Sequence, residues 1–337
     1  MGAAVHGHRR TGTSAPYLDQ TAETRSMQLH GIHHLTAVTA DASGNYDFYT
    51  RVLGMRLVKK TVNQDDTSAY HLFYADGAAS PGTDLTFFDW PVGREQRGSR
   101  AIVRTALRVH GQAAFSYWAA RLAEAGVNQA PATEIDGRQT LEFEDPEGQR
   151  LALIEDGGTA PAHTWHRSSV PADCQIRGLG PITISVPSLA ASEQFLTEVL
   201  SMRAERRYEA AGVAVHVFAM GAGGPEAELH LRVEPGLAPA QQGAGGVHHV
   251  AFRCRDDEYQ YWVQRYQTLG VRSSGPVDRF YFRSLYAREP AGILYEIATD
   301  GPGFATDENI DALGEKLALP PFLEPQRAAI ETRLKPL

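Results

Sequence analysis

The sequence predicts an α+β chain made of four copies of one β-α-β-β-β module, set out as two tandem pairs. Two repeats and one recurring pattern predict it. "FYTRVLGMRL" from Phe48 matches "FLTEVLSMRA" from Phe195, an offset of 147 residues that also carries Thr36 onto Thr183 and Gly31 onto Gly178. An offset of 144, held without a gap, carries Tyr117-Trp118 onto Tyr261-Trp262, Gly126-Val127 onto Gly270-Val271 and Asp145-Pro146-Glu147-Gly148 onto Glu289-Pro290-Ala291-Gly292. Within each copy a strand, an amphipathic helix and three further strands follow in the same order.

Residues 1–28 are polar and without periodicity, so a disordered extension or a start codon set ahead of Met27 is expected, with His6 and His8 solvated. The first module opens with the strand "HLTAV". "ASGNYDFYTRVLG" then reads as a helix with Tyr46, Tyr49, Val52 and Leu53 on its core side and Phe48 at the edge, ended by Gly54. The strands "RLVKKTV", "AYHLFYA" and "DLTFFDW" follow, divided by turn-forming Asp, Gly, Ser and Pro. The pattern recurs at about 100–156, 178–234 and 246–299. These segments give an N-terminal pair over 29–156, a linker over 157–177, a C-terminal pair over 178–300 and a tail over 301–337. The tail joins a proline-fixed extended piece to a short helix, and either covers the mouth of a site or docks on the outside of the modules.

Composition excludes several function classes. A chain of 337 residues with 42% hydrophobic content fills the cores of two ordinary domains. A net charge of −8 and the lack of any basic run argue against nucleic acid as a partner. No stretch approaches the roughly 20 apolar residues of a membrane span, and no apolar segment of a secretory signal opens the chain, so a cytoplasmic address is expected. Cys174 and Cys254 alone cannot build a disulfide framework or a thiolate zinc site, which leaves histidine and carboxylate for any metal. Self-association is left open.

Four of the 13 histidines form two adjacent pairs, in "GIHHLTAVTA" and "GGVHHVAFRC", each just after glycine at a strand start. Neighbours on a strand point to opposite faces, so one histidine of each pair faces a site and the other supports it. The last strand of the fourth module, "GILYEIATD", carries Glu296 between Tyr295 and Ile297, where a carboxylate needs a partner. Two histidines and one glutamate make the set that leaves metal positions open for substrate and oxygen. The repeat acts as an internal control. Where the fourth module has His249 and Glu296 the second has Thr105 and Ala152, and where the first has His34 the third has Pro181. "TDLTFFDW" offers no fourth acid. The ligands therefore sit in modules one and four, which must meet in space. A lone strand histidine is most often a hydrogen-bonded core residue, but two pairs with a matched glutamate reverse that expectation. His71, His110, His216 and His230 lack a matched carboxylate and are read as structural, and His163 and His166 fall in the linker.

Tandem modules carrying "HHLTAVTADASGNYDFYTRVLGMRLVKKTVN", "GGVHHVAF" and "EPAGILYEIATD" resemble the vicinal oxygen chelate superfamily, with its glyoxalase/bleomycin resistance/extradiol dioxygenase fold. Within it they resemble ring-cleaving dioxygenases of hydroquinones, of the 2,6-dichlorohydroquinone 1,2-dioxygenase type. The resemblance spans about residues 29–335. It implies iron(II) held by His34, His249 and Glu296, with His33, Thr36, His248, Arg279 and Tyr286 around substrate and oxygen. Two neutral imidazoles and a carboxylate leave a ferrous ion a charge of about +1, which suits a phenolate. His248 or Tyr286 is then the candidate for proton transfer and Arg279 for stabilising charge, against the plainer readings of a packed aromatic and a surface ion pair. Of Phe280, Tyr281 and Phe282, at least two are expected in the core. The implied partners are a small aromatic substrate and O2. The competing classes are a catechol extradiol dioxygenase, a glyoxalase-like isomerase or lyase, which needs a fourth ligand, and a metal-free binding module, which needs none.

Overall fold

The structure, a computed structural model, describes residues 27–337. Of the expected N-terminal extension over residues 1–28, residues 1–26, with His6 and His8, lie outside the described residues. Module one comprises β1 (Ile32–Thr39), α1 (Ala42–Asp47), β2 (Arg56–Asn63), β3 (Asp66–Ala75) and β4 (Asp84–Asp89). Module two comprises β5 (Ala101–Val109), α2 (Gln112–Glu124), β6 (Thr133–Ile135), β7 (Arg138–Glu144) and β8 (Arg150–Glu155). Module three holds β9 (Leu179–Val186), α3 (Leu189–Gln194), β10 (Arg203–Ala210), β11 (Val213–Ala219) and β12 (Glu228–Val233). Module four holds β13 (Val247–Cys254), α4 (Tyr259–Thr268), β14 (Ser273–Asp278), β15 (Phe282–Arg288) and β16 (Leu294–Pro302), and the tail adds α5 (Arg327–Arg333).

The strands form two curled eight-stranded sheets, ordered β14-β15-β16-β13-β1-β4-β3-β2 and β10-β11-β12-β9-β5-β8-β7-β6. Module one thus shares a sheet with module four through antiparallel β1/β13, and module two with module three through β5/β9. Consecutive modules meet instead through their helices and loops. The Arg121 Nε of α2 donates to the Val52 carbonyl at 2.7 Å, and in the other half the Arg265 Nε of α4 donates to the Val199 carbonyl at 2.7 Å. Tyr49 donates to Asp145 at 3.1 Å, and its counterpart contact runs from Ser192 to Glu289 at 2.7 Å.

Strand alternation divides the module one/four sheet into two faces. Leu35, Leu72, Leu85, Val250, Leu285 and Ile297 bury into the main core. The alternating positions His34, Thr36, His71, Phe73, His249 and Tyr286 line a cavity on the other face.

Two local expectations change, and the tail takes one of its two expected places. α1 ends at Asp47 and continues as one π-helical turn, Phe48–Val52, closed by Leu53 N donating to Phe48 O at 2.9 Å; Phe195–Val199 repeats it. This wider turn brings Phe48 to 4% exposure, inside the core rather than at its edge, and leaves Tyr46 only half-buried. The segment 157–177 is docked, not loose: Trp118 Nε1 donates to Cys174 O at 2.7 Å, Gly77 N to His163 O at 2.7 Å, and Val170 is buried. The tail follows the outer edge of module one, where Ala318 N donates to Lys60 O at 2.9 Å and Ile330 packs with Val62, Leu319 and Leu323. It covers the β2 edge, and no residue beyond 300 lines the cavity.

Candidate metal centre

β1 and β13 cross at matching β-bulges. Ile32 and His34 face Phe252 and Ala251, which leaves His33 extra; Thr36 and Ala37 face His249 and Val247, which leaves His248 extra. A bulge re-aims the side chains beside it, so a pair of neighbouring histidines serves one site although strict alternation would part them. β16 runs parallel to β13 with Glu296 beside Ala251, which sets the carboxylate next to both strands.

The three expected ligands converge. His34 Nε2 lies 3.2 Å and His249 Nε2 2.9 Å from Glu296 Oε2, and the two nitrogens are 3.4 Å apart. Donors each about 2.1 Å from one ion and at right angles to one another stand about 3 Å apart, as these do. All three residues are buried, Glu296 completely, and neither of its carboxylate oxygens has a hydrogen-bond partner among the described residues. The atoms point at a shared position more than at each other, which is how a buried donor set fits a divalent cation. Burial alone would raise the Glu296 pKa, but the neighbouring imidazoles of His34 and His249 outweigh it and hold the carboxyl well below its usual range.

The extra histidine of each pair sits behind its neighbour. His33 and His34 meet Nδ1 to Nδ1 at 2.9 Å, and His248 and His249 at 2.8 Å. Burial first, and the adjacent imidazole second, bring both His33 and His248 down to a pKa of about 3. Neutral rings there accept the Nδ1 hydrogen of His34 and His249, a tautomer that leaves Nε2 free for a metal.

Thr36 Oγ1 lies 3.1 Å from His249 Nε2. Arg279 occupies the turn between β14 and β15, next to Phe280 at φ 70°. Its guanidinium holds Asp65 through two contacts of 3.0 and 3.2 Å and reaches the Tyr286 hydroxyl at 3.4 Å. Tyr286 faces Glu296 across the β15/β16 register, and burial, then the Glu296 charge, push its phenol up, so it stays a hydrogen donor. Phe282 and Tyr281 are buried and also wall the cavity, whereas Phe280 does neither.

Sequence reasoning missed residues of this site. His71 was read as structural, yet it lines the same cavity as His34 and His249. The available signal was its strand spacing to Phe73, which puts both on the site face. Gln64 and Asp65, at the tip of the β2–β3 hairpin, line the same mouth. His110 and His230 do have carboxylate partners, Glu155 at 2.7 Å and Glu228 at 3.0 Å.

The other sheet corrects one position of the internal control. Thr36 pairs with His249, and its counterpart Thr183 pairs with Arg104, so Arg104 rather than Thr105 matches His249. The constant offset slips by one residue in β5, while Ala152 keeps its match to Glu296 through the Ala106 and Ala251 registers. Arg104 pairs with Glu142 here, and Glu228 is held by Arg138 and Arg206. Guanidinium groups take the counter-charge role in this half, so its carboxylates are already satisfied.

The family model described as "Glyoxalase/Bleomycin resistance protein/Dioxygenase superfamily" matches residues 31–153 and 178–297. The chain is 46% identical over 316 residues to "Putative ring-cleaving dioxygenase MhqA" of Bacillus subtilis, covering 92% of this chain and 100% of that protein. It is 29% identical to the "Chlorohydroquinone/hydroquinone 1,2-dioxygenase" of Sphingobium indicum, covering 88% of this chain and 93% of that one. A crystal structure named as a putative dioxygenase from Bacillus subtilis superposes with a TM-score of 0.84 at 35% identity, over 92% of this chain and 98% of that one. Glyoxalase I from Zea mays shares the fold alone, with a TM-score of 0.59 at 17% identity over 80% of this chain and 92% of that one. The chain belongs to the glyoxalase/bleomycin resistance protein/dioxygenase superfamily, and stands there among members named ring-cleaving dioxygenases.

Proposed function

We propose that this protein is an iron(II)-dependent dioxygenase that opens the ring of a hydroquinone or substituted hydroquinone and inserts both atoms of O2. One observation carries the reading. Three buried donors, His34, His249 and Glu296, meet at the spacing of one metal face while both Glu296 oxygens lack a hydrogen-bond partner among the described residues. A relative named for hydroquinone cleavage supports the substrate class.

When bound, iron(II) supplies a Lewis acid that favours the phenolate and open positions where ring and oxygen meet. The protein's own groups do the rest. His33 and His248 fix the tautomers of the ligating imidazoles. Arg279, held by Asp65, presents a fixed cation to negative charge on the ring, and Tyr286 donates a hydrogen bond from beside it. His248 sits behind His249 and already accepts its Nδ1 hydrogen, so Tyr286, which lines the cavity, is the proton-transfer candidate at the ring. Phe73, Phe88 and Phe282 form an apolar wall that keeps water from the ring.

The isomerase reading needs a fourth acid. In the β1/β4 register the counterpart of Glu296 is Thr86, which supplies none. The two cysteines are buried and unpaired, as suits a reducing cytoplasm, and no described helix is long and apolar enough to cross a membrane. The test is anaerobic loading with iron(II), metal analysis, and oxygen uptake on a panel of hydroquinones and catechols. Uptake with hydroquinones is expected; one iron per chain with no uptake on any ring would sink the proposal.

A further inference from the structure

Several polar side chains that take no part in holding the metal line the cavity, and one of them is set among aromatic rings. His71 on β3 lies between two phenylalanine rings, with its centroid 4.0 Å from Phe73 and 4.4 Å from Phe88. A side chain held in an apolar slot with a cavity in front of it has one free end, and its hydrogen bonds decide which. A string of hydrogen bonds runs along the wall from the metal ligand to this ring. Thr36 Oγ1 lies 3.1 Å from His249 Nε2, Thr86 Oγ1 donates to Thr36 Oγ1 at 2.8 Å, and His71 Nε2 meets Thr86 Oγ1 at 3.0 Å.

The direction of that string sets the tautomer of His71. Thr86 spends its only hydrogen on Thr36, so its oxygen accepts from His71 and Nε2 carries the ring hydrogen. Nδ1 is then a lone-pair acceptor, without a protein partner among the described residues, on a residue that lines the cavity. Three hydrogen bonds lead from His249 Nε2 to His71 Nε2, so His71 stands further along the cavity than the ligand corner.

We propose that His71 is a specificity-determining residue: its Nδ1 accepts a hydrogen bond from the ring hydroxyl opposite the metal-bound oxygen, and so selects para-diols. The inference rests on the ring-cleavage reading above and adds a rule about substrate. An acceptor in an apolar slot favours a hydroxyl over an isostere that cannot donate, because the wrong group leaves a desolvated nitrogen unmet. In a catechol the second hydroxyl lies next to the first, at the metal corner, and leaves the far end of the cavity without a donor.

The discriminating pair is hydroquinone and 4-fluorophenol, which have similar size and differ at the far position in whether a hydrogen can be given. Affinities are measured by calorimetry under argon on the iron-loaded protein, so no turnover is involved. The wild type is expected to bind hydroquinone about tenfold more tightly than 4-fluorophenol. In His71→Leu, which keeps the packing against Phe73 and Phe88, the ratio should fall to within about twofold. His71→Asn, which restores a polar atom, should keep part of the preference, and it carries the test if the leucine variant does not fold. A ratio near one in the wild type, or a wild-type ratio retained in both variants, overturns the role of His71 and leaves ring cleavage standing. A wild type that holds iron and binds neither ring overturns both.

Discussion

Glu296 illustrates how one residue can work against the fold and for the site. It is fully buried, and its oxygens find no hydrogen-bond donor among the described residues. Burying a carboxylate costs several kcal/mol; the His34 and His249 imidazoles offset that in the metal-free fold, and a bound divalent cation would take over the role. Glu296→Gln should therefore split stability from function. Stripped of metal with a chelator, the variant is expected to melt at the same temperature as the wild type or higher, while iron content and oxygen uptake fall to background. A metal-free variant that melts well below the metal-free wild type would show that the carboxylate serves the fold instead. The supporting histidines give a matching pH dependence. His33 and His248 have pKa values of about 3 in the fold, against about 6.5 for an unperturbed histidine in the unfolded chain. Below about pH 6.5 the unfolded chain binds protons that the fold refuses, so their share of stability is complete above that pH and drains away as pH falls towards 3. Urea unfolding of the metal-free protein should show a loss of up to about 1.4 kcal/mol per pH unit for each histidine between pH 6 and 4. His248→Leu should flatten that limb; an unchanged slope would contradict the assignment. At this scale the candidate ligands were legible because paired histidines and a glutamate in an apolar strand are costly choices that demand a reason. His71 was not, because an imidazole without a carboxylate partner looks the same in a core as in a cavity.

Among elements, the β2–β3 hairpin does what no motif announces. Its tip reaches from module one to the turn of module four, where Asp65 pairs with Arg279 and Gln64 Nε2 donates to the Arg279 carbonyl at 2.8 Å. The cavity beneath has a volume of about 50 Å³, whereas a site that takes up benzene has roughly 150 Å³. A ring enters only when the mouth widens, and this clasp is cheap to open. Asp65 is 72% exposed, and exposed ion pairs contribute about 0–1 kcal/mol. Asp65→Ala should accordingly leave the melting temperature within about two degrees of wild type. Its expected effect is a several-fold fall in kcat/KM, since Arg279 loses the group that aims it. A large drop in melting temperature with unaltered kinetics would mark the pair as structural. The bulges in β1 and β13 were equally hidden, since a doubled histidine reads as ordinary alternation until two strands are set in register. The same blindness placed Thr105 where Arg104 belongs. β5 keeps the bulge, with Val103 as its extra residue, but the offset to β13 is 145 there and 144 from Tyr117 onward, so one constant shift misplaces the strand. Helix α1 was found by its apolar spacing, but the π-helical turn that follows was not, because a five-residue step from Phe48 to Leu53 falls outside the helical template.

For the whole molecule, sequence order and spatial order disagree, and the metal site depends on that disagreement. The repeat made four modules legible, and the loss of ligands in the two middle copies required the outer two to meet. Sheet order shows how they do: β1 binds β13 and β5 binds β9, so each half of the chain contributes half of both sheets. A chain cut within the docked segment near residue 160 would give two pieces, each with the two central strand edges bare. Apolar central strands with open edges are aggregation sites. Neither piece alone carries His34 together with His249 and Glu296. Expressed singly, both should be insoluble or unfolded and hold no stoichiometric iron; expressed together, they should rejoin along β1/β13 and β5/β9 and recover one iron per pair. Had consecutive modules formed the sheets, each piece would fold by itself, and adding its partner would change nothing. Recovery of iron only in the mixture, read by metal analysis of the co-purified pieces, separates the two arrangements because the three donors come from opposite pieces and share a single point. A lone C-terminal piece that folded and held iron with His249 and Glu296 would mean that His34 is dispensable and that module one closes the site without building it.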